Sequence, residues 1–188
     1  MRKTKLTAGY YYHLYNRGVN RGKIFFQRQN WAFFLRRWRI YCLPELADVI
    51  AYCLMPTHYH FVVQLKTDDF GHRVMQPFTV SYSKSINNQE GRVGPLFQGP
   101  FQAKEVAGDA YLLQLTRYVH LNPVVAGYVT HPAEWIYSSY QDYIGLRNGT
   151  LPNMETIRQI LGGPEVYKAF VEDETEQDLK EIAHLLMD

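Results

Sequence analysis

The sequence predicts an α+β fold built on an antiparallel sheet, and three observations support this class. Short runs rich in β-branched and aromatic residues are bounded by glycine and proline, as strands are. Longer segments between these runs carry apolar residues at helical spacing. The length of 188 residues and the hydrophobic fraction of 46% are typical of one globular domain with an appendage.

Six predicted elements alternate as strand, helix, strand, strand, helix and strand, and they cover residues 10–15, 24–43, 49–54, 60–65, 71–88 and 101–106. This βαββαβ order is the split βαβ pattern of a ferredoxin-like sheet. A further helix is predicted to begin with Asp109 as its N-cap and to end at Asn122, because Pro123 has no N–H to continue the helical ladder.

The remaining sequence is predicted to be an appendage. We place the main domain at residues 1–130 and the appendage at residues 131–188. Within the appendage, residues 131–152 have an irregular pattern, and residues 164–186 are predicted to form an acidic amphipathic helix.

Charge is distributed unevenly along the chain. The first 44 residues hold ten basic side chains and no acidic one, whereas residues 108–188 hold five basic and twelve acidic side chains. Aromatic residues interleave with the basic ones, a composition that suits single-stranded nucleic acid and equally suits a solvated helix face beside a core. Two cysteines without a CxxC pair and the absence of long apolar runs predict a soluble cytoplasmic protein.

His58 and His60 are two residues apart at the start of a predicted strand, so both imidazoles point to one face. Such a pair can hold a divalent cation or can be an ordinary polar pair at a strand end. A hydrolase barrel with this motif needs about 250 residues. A histidine-triad nucleotide hydrolase would need a third histidine where Val62 stands. Neither class fits this sequence.

Tyr118 and Asn122 are four residues apart on the last predicted helix and therefore lie one above the other. His120 points in roughly the opposite direction, so Asn122 is the expected partner of Tyr118. Taken alone, the pair also fits a half-buried aromatic residue followed by a helix terminator.

Five motifs together resemble the REP-associated tyrosine transposases, which belong to the insertion-sequence-200-like, single-tyrosine HUH transposases. They are HLYNRG at 13–18 followed by IF at 24–25, YCLMPTHYHFVV at 52–63, GPLFQG at 94–99, RYVHLNPV at 117–124 and YSSY at 137–140. The resemblance implies that residues 1–130 are a nuclease domain with catalytic Tyr118. It also implies a Mg²⁺ or Mn²⁺ site formed by His58, His60 and Asn122.

The implied activity is a metal-dependent DNA transesterification. Tyr118 would attack a phosphate of hairpin-forming single-stranded DNA, such as a repetitive extragenic palindrome (REP). A 5′-phosphotyrosine intermediate and strand transfer would follow. One tyrosine per site implies a homodimer or two successive rounds, in the bacterial cytoplasm at the nucleoid. The expected DNA contacts are His13, Asn16, Arg17, Arg21, Lys23, Arg36, Arg37 and Arg39.

Two positions depart from the family pattern. Pro100 and Val125 stand where many relatives have arginine, which weakens the case for DNA affinity more than for the chemistry. A domesticated protein that binds hairpin DNA or RNA without cutting therefore remains the alternative. A replication-initiator nuclease of the same fold is disfavoured, because the sequence shows no helicase-sized extension and because residues 117–124 match the transposase pattern.

Overall fold

The structure is a computed structural model that describes residues 5–173. Its strands are β1 (Tyr11–Arg17), β2 (Ala47–Met55), β3 (His58–Leu65) and β4 (Gln102–Val106). Its α-helices are α1 (Arg28–Tyr41), α2 (Gln76–Gln89), α3 (Asp109–Val125), α4 (Tyr140–Tyr143), α5 (Glu155–Leu161) and α6 (Pro164–Glu172). A π-helical turn, Gly71–Met75, leads directly into α2.

The four strands form one antiparallel sheet in the order β2-β3-β1-β4. β3 lies between β1 and β2, which run parallel to each other, so the predicted ferredoxin-like split βαβ arrangement is confirmed. Successive side chains of β3 alternate between the faces of the sheet: Tyr59 and Phe61 join one core cluster, and Val62 joins the other.

Helices α1 and α2 cover the first face of the sheet. The Trp38 ring of α1 stacks on Phe61 of β3 with ring centroids 3.9 Å apart, and Phe34 packs edge-on against Phe78 and Tyr82 of α2. Each buried aromatic ring removes about 150–250 Å² from water, so this layer contributes a large share of the hydrophobic stabilisation.

Helix α3 covers the second face of the sheet. Leu112, Leu115 and Val119 of this helix are buried against Ala51 and Val62 of the sheet. The chain after α3 joins the same cluster, with α6 packed against α3. Residues 131–173 thus share a core with the sheet, and the division of the chain at residue 130 stays a prediction.

The free edge of β2 is covered by the segment that follows α3. Ser138 pairs with Cys53 and Pro152 pairs with Val49, each through an isolated bridge. Covering an edge strand in this way removes unpaired N–H and C=O groups that could recruit another chain. Both cysteines are buried free thiols, as expected.

Several predicted boundaries are wrong for identifiable reasons. The first helix begins at Arg28 instead of residue 24, because the N–H groups of Ile24 and Phe25 donate to Pro56 O. The N-cap of α3 is Gly108 instead of Asp109, and Asp109 is the first helical residue. Helix α3 also continues through Pro123 to Val125.

The end of α3 explains why Pro123 does not terminate the helix. Proline lacks only its own N–H, and the carbonyl groups of the last turn find donors beyond it. The N–H of Tyr128 donates to Pro123 O, and that of Ala126 donates to Asn122 O. Gly127 then adopts a φ of 70°, a left-handed conformation that favours glycine and ends the helix.

The appendage is more ordered than predicted. Residues 131–152 contain a short 3₁₀ helix, Pro132–Glu134, and helix α4. The predicted helix over 164–186 is observed as α6 over Pro164–Glu172, and its part from residue 174 onward lies outside the described residues. Within residues 5–173, no helix combines the length and apolar character that crossing a membrane requires.

Candidate active site

The second face of the sheet presents the two histidines of β3 to helix α3. His58 and His60 point to this face because they are two residues apart on a strand, and their ring centroids are 5.0 Å apart. Tyr118 and Asn122 project from α3 toward them, and the Tyr118 ring meets the His60 ring edge-on at 5.9 Å. The structure thus brings together four residues predicted from two separate motifs.

The Asn122 carboxamide lies at the centre of this group. Its Oδ1 atom is 3.3 Å from His58 Nε2, and its Nδ2 atom is 3.4 Å from His60 Nε2. Nδ2 also donates to the Tyr118 hydroxyl at 2.5 Å. No cluster of three His, Cys, Asp or Glu side chains suited to a metal exists within residues 5–173. A cation here would therefore take two imidazoles and one amide oxygen.

Burial keeps both imidazoles neutral. Desolvation lowers the pKa of His58 and lowers that of His60 well below its ordinary value. The Thr57 hydroxyl lies 3.0 Å from His58 Nδ1 and serves either tautomer, because a hydroxyl both donates and accepts. Neutral imidazoles offer the lone pairs that a divalent cation needs.

Tyr118 is only 3% exposed, and its environment disfavours the phenolate. Burial is the main cause of its raised pKa, the neighbouring Cys53 adds to the effect, and the hydrogen bond from Asn122 opposes it. The phenol is therefore protonated at neutral pH, and attack by its oxygen requires additional positive charge nearby.

His13 was expected at the site entrance as a DNA contact, and the structure contradicts this. Its side chain is fully buried on β1 behind His60, and its Nε2 atom is 2.8 Å from His60 Nδ1. Burial, aided by the charge of Lys104, lowers the pKa of His13 to about 3. A phosphate contact requires exposed atoms, which His13 lacks.

Asn16 and Arg17 lie beside a cleft of about 310 Å³ between the ends of β1 and β4. The buried Asn16 side chain donates to Gly99 O and accepts from the N–H of Arg17, so its observed contacts shape the cleft wall. The Arg17 guanidinium donates from Nε to Gln98 Oε1 at 2.6 Å. Pro100, one of the two departures from the family pattern, also lines this cleft.

The remaining basic residues separate into two surfaces. Arg21 and Lys23 belong to a loop that follows β1 and contacts the β2–β3 turn, since the N–H of Gly18 donates to Thr57 O. The second surface is on α1, which covers the face of the sheet opposite the histidines, and it carries Arg36, Arg37 and Arg39. The structure brings Arg17 close to His58 by register but does not bring the α1 group to the site.

Sequence reasoning missed two polar side chains that contact predicted site residues. Thr57 contacts His58, and Gln98 contacts Arg17. Thr57 could have been suspected because it adjoins His58 in the β2–β3 turn. Gln98 is 81 residues from Arg17, and nothing in the local pattern signals the contact.

A protein-family model matches the part of the chain that carries these residues. The model described as "Transposase IS200 like" matches residues 7–122, which include the two histidines and Tyr118 and end at Asn122. The chain belongs to the IS200-like transposase family.

Two relatives of this IS200-like protein are informative. A Haemophilus influenzae protein, named as a REP-associated tyrosine transposase, is 28% identical over 103 residues. The alignment covers 50% of this chain and 58% of that relative. A solved structure of a REP-associated tyrosine transposase bound to a REP hairpin matches with a TM-score of 0.60 and 15% identity, covering 77% of this chain and 84% of the other. This likeness establishes the fold.

Proposed function

We propose that this protein is a REP-associated tyrosine transposase that cleaves and rejoins hairpin-forming single-stranded DNA. The observation that carries the proposal is the convergence of His58 Nε2, His60 Nε2 and the Tyr118 hydroxyl on one carboxamide, that of Asn122. Family membership supports the reaction class, and the hairpin-bound structural relative supports the substrate class.

The reaction begins with Tyr118 as the nucleophile. Its Oη–P bond forms as the P–O3′ bond of the DNA breaks, which leaves a free 3′-OH and a 5′-phosphotyrosine. The phenol loses its proton to water, and the departing O3′ takes up a proton. A second 3′-OH reverses the step on another strand, so strand transfer needs no nucleotide cofactor.

The energetics of the nucleophile favour a cation-assisted reaction. A tyrosine at its ordinary pKa of about 10 is roughly 4 kcal/mol away from phenolate at pH 7. Burial of Tyr118 raises this requirement further. When bound, Mg²⁺ or Mn²⁺ stabilises negative charge that develops on the phosphate oxygens.

The donor atoms fit such a cation. His60 would offer its Nε2 lone pair and Asn122 its Oδ1 atom, while His58 Nε2 carries a proton in this structure, where it donates to Asn122 Oδ1. His58 would become a ligand through Nε2 after a shift of that proton to Nδ1, from which the Thr57 hydroxyl can accept a hydrogen bond. Two imidazole nitrogens and one amide oxygen are a set that Mn²⁺ and Mg²⁺ accept together with phosphate oxygens and water. The Asn122 Nδ2 atom continues to hold the Tyr118 hydroxyl in place. The single side chain of Asn122 thereby contacts both the nucleophile and the two histidine ligands.

DNA contacts are proposed on the surface next to His58. Arg17, Arg21 and Lys23 would neutralise phosphates beside the scissile bond, because all three lie at the end of β1 that adjoins the β2–β3 turn. Arg36, Arg37 and Arg39 would contact a more distant part of the hairpin, since α1 covers the other face of the sheet.

A denaturant-resistant adduct tests the proposed function. Wild-type protein, labelled hairpin DNA with a single-stranded flank and Mn²⁺ should give a covalent complex on denaturing gels. Tyr118→Phe should abolish the adduct. Tyr111→Phe is the matched control, because Tyr111 lies on the same helix outside the group around Asn122, and it should leave the adduct intact. Binding without any adduct would favour the non-cleaving alternative.

A further inference from the structure

His13 and His60 form a buried imidazole pair in the middle of the sheet. β1 and β3 are adjacent antiparallel strands, and the two rings are stacked with centroids 5.0 Å apart and planes 19° apart. His13 Nε2 is 2.8 Å from His60 Nδ1, a distance at which exactly one proton lies between the two nitrogens of a neutral pair.

The position of that proton decides what the other nitrogen of His60 can do. A neutral imidazole has one N–H donor and one lone-pair acceptor. His60 Nε2 lies 3.4 Å from Asn122 Nδ2, an amide nitrogen that only donates, and this contact favours the tautomer in which Nε2 carries the lone pair and Nδ1 carries the proton. His13 Nε2 is then the acceptor of the Nδ1–H bond.

His13 is placed behind His60 and not beside the group around Asn122. Its Nε2 atom is hydrogen-bonded to His60 Nδ1, and its Nδ1 atom is buried without a hydrogen-bond partner among residues 5–173. A buried imidazole with one nitrogen that makes no hydrogen bond lowers the stability of the fold, because that nitrogen has lost its hydration without gaining a partner. A role outside stability therefore accounts better for a histidine at this position.

We infer that His13 is a positioning residue that holds His60 in the Nδ1–H tautomer and thereby directs the Nε2 lone pair toward the cation site. This inference rests on the proposed function, because the cation site is part of that proposal. Partners on the second nitrogen of a ligating histidine fix its tautomer and ring orientation, and their loss typically weakens metal affinity by about 10–100-fold.

Two substitutions separate this role from packing. His13→Leu removes the acceptor, whereas His13→Gln supplies an amide oxygen that can accept from His60 Nδ1. His72→Gln is the control, because His72 lies on the exposed turn before α2. We expect Mn²⁺ affinity, measured without DNA by electron paramagnetic resonance of the free ion, to fall about 10–100-fold in His13→Leu. It should recover substantially in His13→Gln and stay unchanged in His72→Gln.

The tautomer gives a second readout that a purely structural role would not move. Nitrogen-15 NMR of the Mg²⁺-loaded protein should place the His60 proton on Nδ1 in wild type and in His13→Gln. In His13→Leu, the Nε2–H form should appear. An Nε2–H form in wild type, or unchanged affinity and tautomer in a folded His13→Leu variant, would overturn the inference.

The outcomes distinguish this inference from the proposed function. A wild-type protein that forms the Tyr118 adduct while His13→Leu keeps full Mn²⁺ affinity would refute only the role of His13. A wild-type protein that binds no Mn²⁺ and forms no adduct would refute both proposals.

Discussion

Asn122 is the residue on which the candidate site depends most, because its one side chain contacts both histidines and Tyr118. Its spacing of four residues from Tyr118 made that pair predictable from helix geometry alone. His60 is 62 residues away in the sequence, so its contact with Asn122 becomes evident only in the folded structure.

Substitution of Asn122 is expected to affect cation binding before it affects folding. Asn122→Ala removes the amide oxygen, and Mn²⁺ affinity should fall by more than about tenfold. Asn122→Asp keeps an oxygen that Mn²⁺ accepts and should retain binding. Isothermal titration of the two variants measures the difference. Equal affinities in Asn122→Ala and wild type would exclude Asn122 as a ligand.

Gly18 is a second residue whose identity is dictated by its surroundings. A Cβ at this position would overlap Gly22 O and press on the Ile24 side chain. Gly18→Ala should therefore displace the loop that carries Arg21 and lower the free energy of unfolding by about 1–3 kcal/mol. Urea denaturation measures this loss. Gly99→Ala is the control, since open space surrounds Gly99, and a similar loss there would contradict the explanation.

At the scale of elements, a buried hydrogen-bond network joins α3 to β2 and α6. The Tyr167 hydroxyl lies 2.6 Å from His120 Nδ1, and His120 Nε2 lies 2.7 Å from Ser139 Oγ. Ser139 Oγ accepts from the N–H of Tyr52 and donates to Tyr52 O. His120 Nε2–H therefore donates to Ser139, and Tyr167 donates to His120 Nδ1.

This network gives the RYVHLNPV and YSSY motifs a structural link that the sequence did not reveal. Helical spacing correctly predicted that His120 points away from Tyr118. The hydrogen-bond partners of His120, however, come from α6 and from the segment that covers β2. Such contacts depend on the packing of distant segments, which local periodicity does not encode.

Removal of the Tyr167 hydroxyl should loosen the docking of α6 without removing any group of the candidate site. Tyr167→Phe leaves His120 Nδ1 buried without its donor, at a cost of about 1–3 kcal/mol in the free energy of unfolding. Tyr128→Phe, at an exposed position, should cost little. Thermal and urea unfolding measure both variants. Equal stability of the two would show that the network contributes nothing.

At the scale of the whole molecule, the buried histidines predict a loss of stability in mild acid. Burial lowers the pKa of His13 and of His120 to about 3, from an ordinary value of 6.5. Between these values the unfolded chain binds more protons than the folded chain, so the free energy of unfolding falls as pH falls. The stabilisation is fully present above pH 6.5.

The expected loss is large enough to measure. At pH 5, each of the two histidines should have reduced the free energy of unfolding by about 2 kcal/mol relative to neutral pH. Urea denaturation at several pH values tests this expectation. His120→Gln should remove only the share of His120 from the pH dependence, because His13, His58 and His60 also have lowered pKa values and keep the remainder. A wild-type protein of constant stability between pH 7.5 and pH 5 would contradict this expectation.

Much of the architecture was accessible from the sequence because local pattern and topology agree. The four strands of the sheet and helices α1 and α2 appear in the predicted order, and strand alternation correctly paired His58 with His60. The burial of His13 could not be predicted, because it depends on the register between β1 and β3. The local sequence around His13 does not indicate that register.

The most direct test of the account is to identify the residue that becomes linked to DNA. Trypsin cleavage after Arg117 and Arg147 yields a peptide that begins with Tyr118 and contains four further tyrosines. After reaction with hairpin DNA, Mn²⁺ and nuclease trimming, fragmentation mass spectrometry should place the nucleotide phosphate on the first residue of this peptide. Attachment at any other tyrosine, or at no residue, would contradict the assignment of Tyr118 as the nucleophile.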